Sequence, residues 1–257
     1  MSEFTNVINK FVNKMGYLSN SNVEGIIFYG SNQTGFSNNF SDIDLHIILS
    51  NDADEEIRGS SYIDGYRIEY FEKKLNSMYK KTINEFKNQG NAVVSMIVYG
   101  TIILDRNGKI AKLQEYIKKI HSMPMPSIEE EKAKEQIAII NNFFDDLFNL
   151  INNNDLYATH IYHLTLERIK DFYFSYNALP GVARTKALKV MLNDEYRRAI
   201  KKENPTDDFI QLYIECLIEK KNLEERLNAL YELFNYTTRE INFDKNEHRI
   251  ILTRKKK

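Results

Sequence analysis

The stretch Gly25-Ile-Ile-Phe-Tyr-Gly30-Ser-Asn-Gln-Thr-Gly35-Phe-Ser-Asn-Asn-Phe40-Ser-Asp-Ile-Asp44-Leu-His-Ile-Ile-Leu49 decides how the rest of the chain is read. It opens as a buried strand, stops at Gly30-Ser31, crosses a polar connection and re-enters an apolar run at Ile43. Asp42 and Asp44 stand two apart at the start of that second strand. Side chains at i and i+2 of a strand share a face, so both carboxylates project together while Ile43 and Leu45 turn to the core. Two carboxylates on one face repel unless a cation neutralises them, and hard oxygen ligands suit Mg²⁺. Gly30 lets a phosphate come close to the backbone, and Ser31 adds a hydroxyl and an amide.

Working outward, residues 23 to about 105 alternate β-rich runs with turn signals: VEGIIFYG, IDLHIILS, SSYIDGYRIEYF and AVVSMIVYGTIIL. Asp64-Gly65 between two such runs predicts a tight hairpin. Lys73–Lys87 reads as a helix, and Lys109–Ile120 as another with Ile110, Leu113 and Ile117 on one face. The first twenty residues form an amphipathic pattern with no central apolar block, unlike a signal peptide.

Met123-Pro-Met-Pro-Ser127 predicts a linker, because two prolines in three residues break a helix. Ser127 with Glu130 has the spacing of a capping box. Beyond it, Ile140, Phe143, Phe144, Leu147 and Ile151 make a stripe of helical period. Further helices are expected over about Leu156–Tyr176, Thr185–Asn193 and Pro205–Leu233. The expected fold is therefore α+β, a mixed β-sheet with flanking helices followed by an all-α bundle. The expected division is 1–122 for the first domain, 127–240 for the helical domain and 241–257 for a tail.

Composition bounds the function. The 257 residues carry 35 basic and 36 acidic side chains, a net charge of −1. Split at residue 122, the first half has 14 of each sign and the second 21 basic and 22 acidic. Neither half has the positive field of a dedicated nucleic-acid binder. The basic run Arg254–Lys257 reads as a solvated terminus, and His248–Thr253 as a further strand. No apolar run approaches the roughly 18 residues of a membrane span. The single cysteine, Cys216, excludes an internal disulfide and sits in an apolar helical run, as core packing does. A cytoplasmic location is expected.

The Gly-Ser pair, the ten residues from Ser31 to Asp42 and the Asp-x-Asp between apolar strands resemble the active-site signature of the DNA polymerase β nucleotidyltransferase superfamily. Gly35 and Ser41 match its fuller bacterial form. The resemblance covers residues 23–72. It implies a metal-dependent transfer of a nucleoside monophosphate, with Asp42 and Asp44 as metal ligands, Gly30 and Ser31 holding the nucleotide, and two Mg²⁺ ions. It also implies a third carboxylate on a neighbouring strand. Glu69 in Tyr66-Arg-Ile-Glu-Tyr-Phe71 fits that place, with Asp64 as the competitor in the hairpin turn.

The arrangement of a catalytic domain before a helical one resembles the bacterial adenylyltransferases that modify aminoglycoside or lincosamide antibiotics. That likeness implies ATP as donor, a small-molecule hydroxyl as acceptor, and a helical domain forming the acceptor side of the cleft. Among helical residues, His160, His163, Glu167 and Asp171 share one face, and Glu167 is the preferred general base. The alternative is a solvated face of a helix whose core side is Ile161, Leu164, Ile169 and Phe172. Transfer RNA or protein acceptors in a toxin–antitoxin setting, or a non-catalytic nucleotide-binding module, are the competing functions.

Overall fold

The Asp64-Gly65 turn does form. Both residues have positive φ, +51° and +84°, as a two-residue hairpin loop of this kind requires. It joins β3 (Arg58–Ile63) to β4 (Tyr66–Lys74) and sets an antiparallel register in which Ser60 faces Glu69 and Arg58 faces Phe71. The computed structural model describes residues 2–30, 42–90, 92–153, 155–182, 186–199, 205–218 and 222–243. Ser31, Gly35, Ser41, His248–Thr253 and the tail at Arg254–Lys257 lie outside these described residues.

The remaining strands are β1 (Val23–Tyr29), β2 (Ile43–Leu49) and β5 (Thr101–Asp105). The sheet order is β3-β4-β2-β1-β5. β2 runs parallel to β4 and antiparallel to β1, so the sheet is mixed. Helix α1 (Ser2–Lys14) covers one face: Val7, Ile8 and Phe11 pack with Ile26, Phe28, Ile43, Leu45 and Ile68. On the other face lie α2 (Leu75–Lys87), α3 (Ala92–Tyr99) and α4 (Lys109–His121). There Met78, Val94, Ile97 and Leu113 enclose Ile27 and Ile48. The period-2 alternation of β2 is thus divided between two apolar layers, with Asp42 and Asp44 at its beginning.

Several expectations fail locally. Ala92–Tyr99 reads as part of a strand, yet it is helical and only Thr101–Asp105 joins the sheet. A continuous apolar run carries no period to separate the two states. Here the side chain of Glu85, on α2, accepts from the backbone N–H of Ala92 at 3.1 Å and Val94 at 2.9 Å, capping α3 from outside its own sequence. Ser127 is not a cap either: α5 starts at Glu130 with Glu129 as its N-cap residue, which makes no side-chain cap bond.

The main division of the chain into two compact units falls at Met125/Pro126. Every described element after the division is a helix: α5 (Glu130–Asn152), α6 (Ala158–Tyr176), α7 (Ala187–Leu192), α8 (Asp194–Ala199), α9 (Asp207–Leu217) and α10 (Leu223–Thr238). The single run expected over Pro205–Leu233 is two helices. Thr206 caps the first by accepting from Phe209 N–H, and Asn222 caps the second by accepting from Glu225 N–H. The helical core stacks aromatics, with Phe144 on Tyr231 and Tyr173 on Phe209. Cys216 is a buried free thiol within it. The core side of α6 is Tyr162, Thr165, Leu166, Ile169, Phe172 and Tyr173, so Ile161 and Leu164 are only half-buried. No described helix is long and apolar enough to cross a membrane.

Candidate functional site

β2 and β4 bring three carboxylates together. Their parallel register pairs Asp44 with Glu69, and Asp42 stands one step before the strand on the same face as Asp44. Asp42, Asp44 and Glu69 each offer an oxygen within 4.8 Å of the other two, and all three are half-buried. Asp64, the other candidate for the third carboxylate, stays in the turn and pairs with Lys10 at 2.7 Å. Three oxygen donors at this spacing fit a hard divalent cation such as Mg²⁺.

Gly30 closes the site from below. Its φ of +127° lies where an L side chain rarely goes, and an added Cβ would come 2.7 Å from Asp44 Oδ2. The end of β1 therefore turns beneath the carboxylate of Asp44, the backbone approach that a phosphate-binding turn needs. Tyr29, the residue before it, pairs with Asp44 across the β1–β2 ladder.

Two basic residues that the sequence did not single out complete the cluster. Arg67 Nη2 bonds Glu69 Oε1, and Arg58 Nη2 lies 3.4 Å from Oε2. Their signal was available. Arg67 is two residues before Glu69 on one strand, and the two-residue turn fixes the register that brings Arg58 onto the same face. Below Asp44 on β2 sits His46, buried and stacked on Phe71 at 5.2 Å, with Nε2 at 3.3 Å from Met96 Sδ. Its Nδ1 has no hydrogen-bond partner among the described residues. Burial, reinforced by Lys81 and Lys73, pushes its pKa down to about 4.

Glu167 belongs to the helical unit and has two firm partners. Lys170 Nζ donates to its Oε2 at 2.6 Å, and Tyr213 OH to its Oε1 at 2.9 Å. Lys170 itself is buried and also reaches Asp171 at 3.3 Å. Burial, then the charge and hydrogen bond of Glu167, pushes the Tyr213 phenol well above its usual range. His160, His163 and Asp171 on the same helix are exposed.

The model of the nucleotidyltransferase domain family matches residues 8–146, more than half of the chain. The chain belongs to that family. This nucleotidyltransferase domain sits in the polymerase β-like superfamily, and its membership implies transfer of a nucleoside monophosphate with a nucleoside triphosphate as substrate. Among solved structures, a nucleotidyltransferase-like protein from Exiguobacterium sibiricum 255-15 matches at 16% identity, over 91% of this chain and 74% of that one, with a TM-score of 0.49. No curated protein matches significantly.

Proposed function

We propose that this nucleotidyltransferase moves AMP from ATP to a hydroxyl of a small molecule, an antibiotic of the aminoglycoside or lincosamide kind. The observation that supports the site is the meeting of three carboxylate oxygens within 4.8 Å beside a glycine whose positive φ strains any side chain. Asp42, Asp44 and Glu69 are the residues that would hold divalent metal, two Mg²⁺ ions in this reading. Bound there, the metal would neutralise the triphosphate and the charge developing at the α-phosphorus. Gly30 and Ser31 receive the phosphates, and the acceptor oxygen displaces pyrophosphate in line. Glu167 is the proposed base for the acceptor hydroxyl; with one donor on each oxygen, from Lys170 and Tyr213, its carboxylate keeps lone pairs with which to take the proton. A near-neutral charge in both halves favours a small acceptor over a long nucleic acid, whose affinity depends on phosphate neutralisation.

The test is an acceptor screen. The purified chain with Mg²⁺ is given each of the four triphosphates and a panel of aminoglycosides, lincosamides, transfer RNA and polypeptides. Pyrophosphate release and product mass are followed. Gain of one AMP by an antibiotic is the expected result. Label found only on RNA or protein overturns the small-molecule acceptor, and nucleotide binding with no pyrophosphate release under any condition overturns turnover itself.

A further inference from the structure

Glu69 has two competing claims on it. Its carboxylate lies within reach of any cation shared with Asp42 and Asp44, and it already holds two guanidiniums. Those guanidiniums are not fixed. Arg67 is 48% exposed and Arg58 71% exposed, and exposed ion pairs exchange partners at small cost. Arg58 also lies over the ring of Phe71, 5.0 Å from its centroid, which keeps its planar group beside the site when it leaves the carboxylate. A triphosphate offers both arginines denser negative charge and bidentate geometry.

We propose that Arg58 and Arg67 form a counter-ion latch. Without nucleotide they occupy Glu69 and weaken its hold on divalent metal. A nucleoside triphosphate draws them away, so Glu69 becomes free as the nucleotide arrives. Metal and nucleotide therefore bind with positive coupling, each strengthening the other. The latch is a positioning device acting through Glu69, and it rests on the reading of the three carboxylates as metal ligands.

Removing the arginines should move the two affinities in opposite directions, which general damage to the site would not do. Mn²⁺ binding to the full chain is measured by titration calorimetry and electron paramagnetic resonance without nucleotide. ATP binding is measured separately in chelator, without metal. Arg67→Gln and Arg58→Gln are each expected to tighten Mn²⁺ by about fivefold and to weaken metal-free ATP by a similar factor, the size of an exposed ion pair. Arg67→Lys keeps the charge and should restore both affinities most of the way. Mn²⁺ affinity that is unchanged or weaker in the glutamine variants overturns the latch, as does tighter Mn²⁺ with unchanged ATP. Asp44→Asn separates the two readings. If it binds Mn²⁺ as the wild type does, the metal assignment fails and the latch with it; if it loses Mn²⁺ while the arginine variants change nothing, only the latch fails.

Discussion

Glu69 and Glu167 are both carboxylates held by cations, and the two units of the molecule treat them in opposite ways. In the sheet unit, the cations on Glu69 are exposed arginines, and two more carboxylates stand within 4.8 Å. In the helical unit, Glu167 is held by Lys170, 2% exposed, and by the buried phenol of Tyr213. An exposed pair contributes little and is easily replaced, so it suits a site that must receive ligands. A buried pair contributes little net stability but is costly to break, because one charge is then left without a partner. Glu69 thus keeps its counter-ions exchangeable, and Glu167 has its own locked into the core.

The sharpest way to break this contrast is Asp44→Asn, which removes one candidate metal oxygen at nearly constant volume. Turnover should fall about a thousandfold, since metal-assisted charge stabilisation is worth several kcal/mol and each ~1.4 kcal/mol is tenfold. Thermal unfolding should hardly change. Wild-type turnover in that variant would remove the triad from the chemistry.

His46, like Ser95 in the same unit, is a polar group both buried and left partly unsatisfied among the described residues. Its pKa falls from 6.5 in the unfolded chain to about 4 when folded. The unfolded state therefore takes up a proton first, and stability is lost as pH falls from about 6.5 toward 4. The loss approaches about 3 kcal/mol at the lower end, because each tenfold weakening of proton affinity on folding is worth ~1.4 kcal/mol. Urea unfolding at several pH values should show this slope, and His46→Phe should flatten it. An unchanged slope in the variant would assign the acid sensitivity to other groups.

Glu167→Gln probes the locked side of the comparison. The amide can still accept from Tyr213, but it removes the nearer charge from Lys170, leaving Asp171 at 3.3 Å as its remaining carboxylate among the described residues. Stability should fall by about 2 kcal/mol, below the full cost of a broken buried pair because Asp171 remains. Turnover measured where the variant is fully folded then reports on the proposed proton transfer alone. The smallest effect is expected at Asn222→Ala, which deletes the cap on α10 and should cost about 1 kcal/mol by thermal unfolding.

These charges also mark what the sequence does and does not reveal. The apolar alternation around Asp42 and Asp44, the Asp64-Gly65 turn and the stripe from Ile140 to Ile151 are local patterns, and each folds as its period indicates. Ala92–Tyr99 is different, because its helix is capped by Glu85 on a neighbouring element. Lys170 was unreadable for a related reason. A lysine on an amphipathic helix is ordinarily at the surface, whereas Lys170 is buried on a Glu167 carboxylate that the phenol of Tyr213 also meets from 46 residues away. In the site, the triad follows from strand period and register. The two arginines on Glu69 required the hairpin register to be carried one strand further than the motif itself extends.

The close approach between Gly30 and Asp44 has a consequence for descent. Every single-nucleotide missense change of a glycine codon introduces a β-carbon, and here that atom would meet Asp44 Oδ2 at 2.7 Å in a backbone conformation hostile to it. The two positions are therefore sterically coupled. A lineage that has lost catalysis is released from both together, so chains of this fold that replace glycine at the end of β1 should also have stopped preserving the aspartate above it.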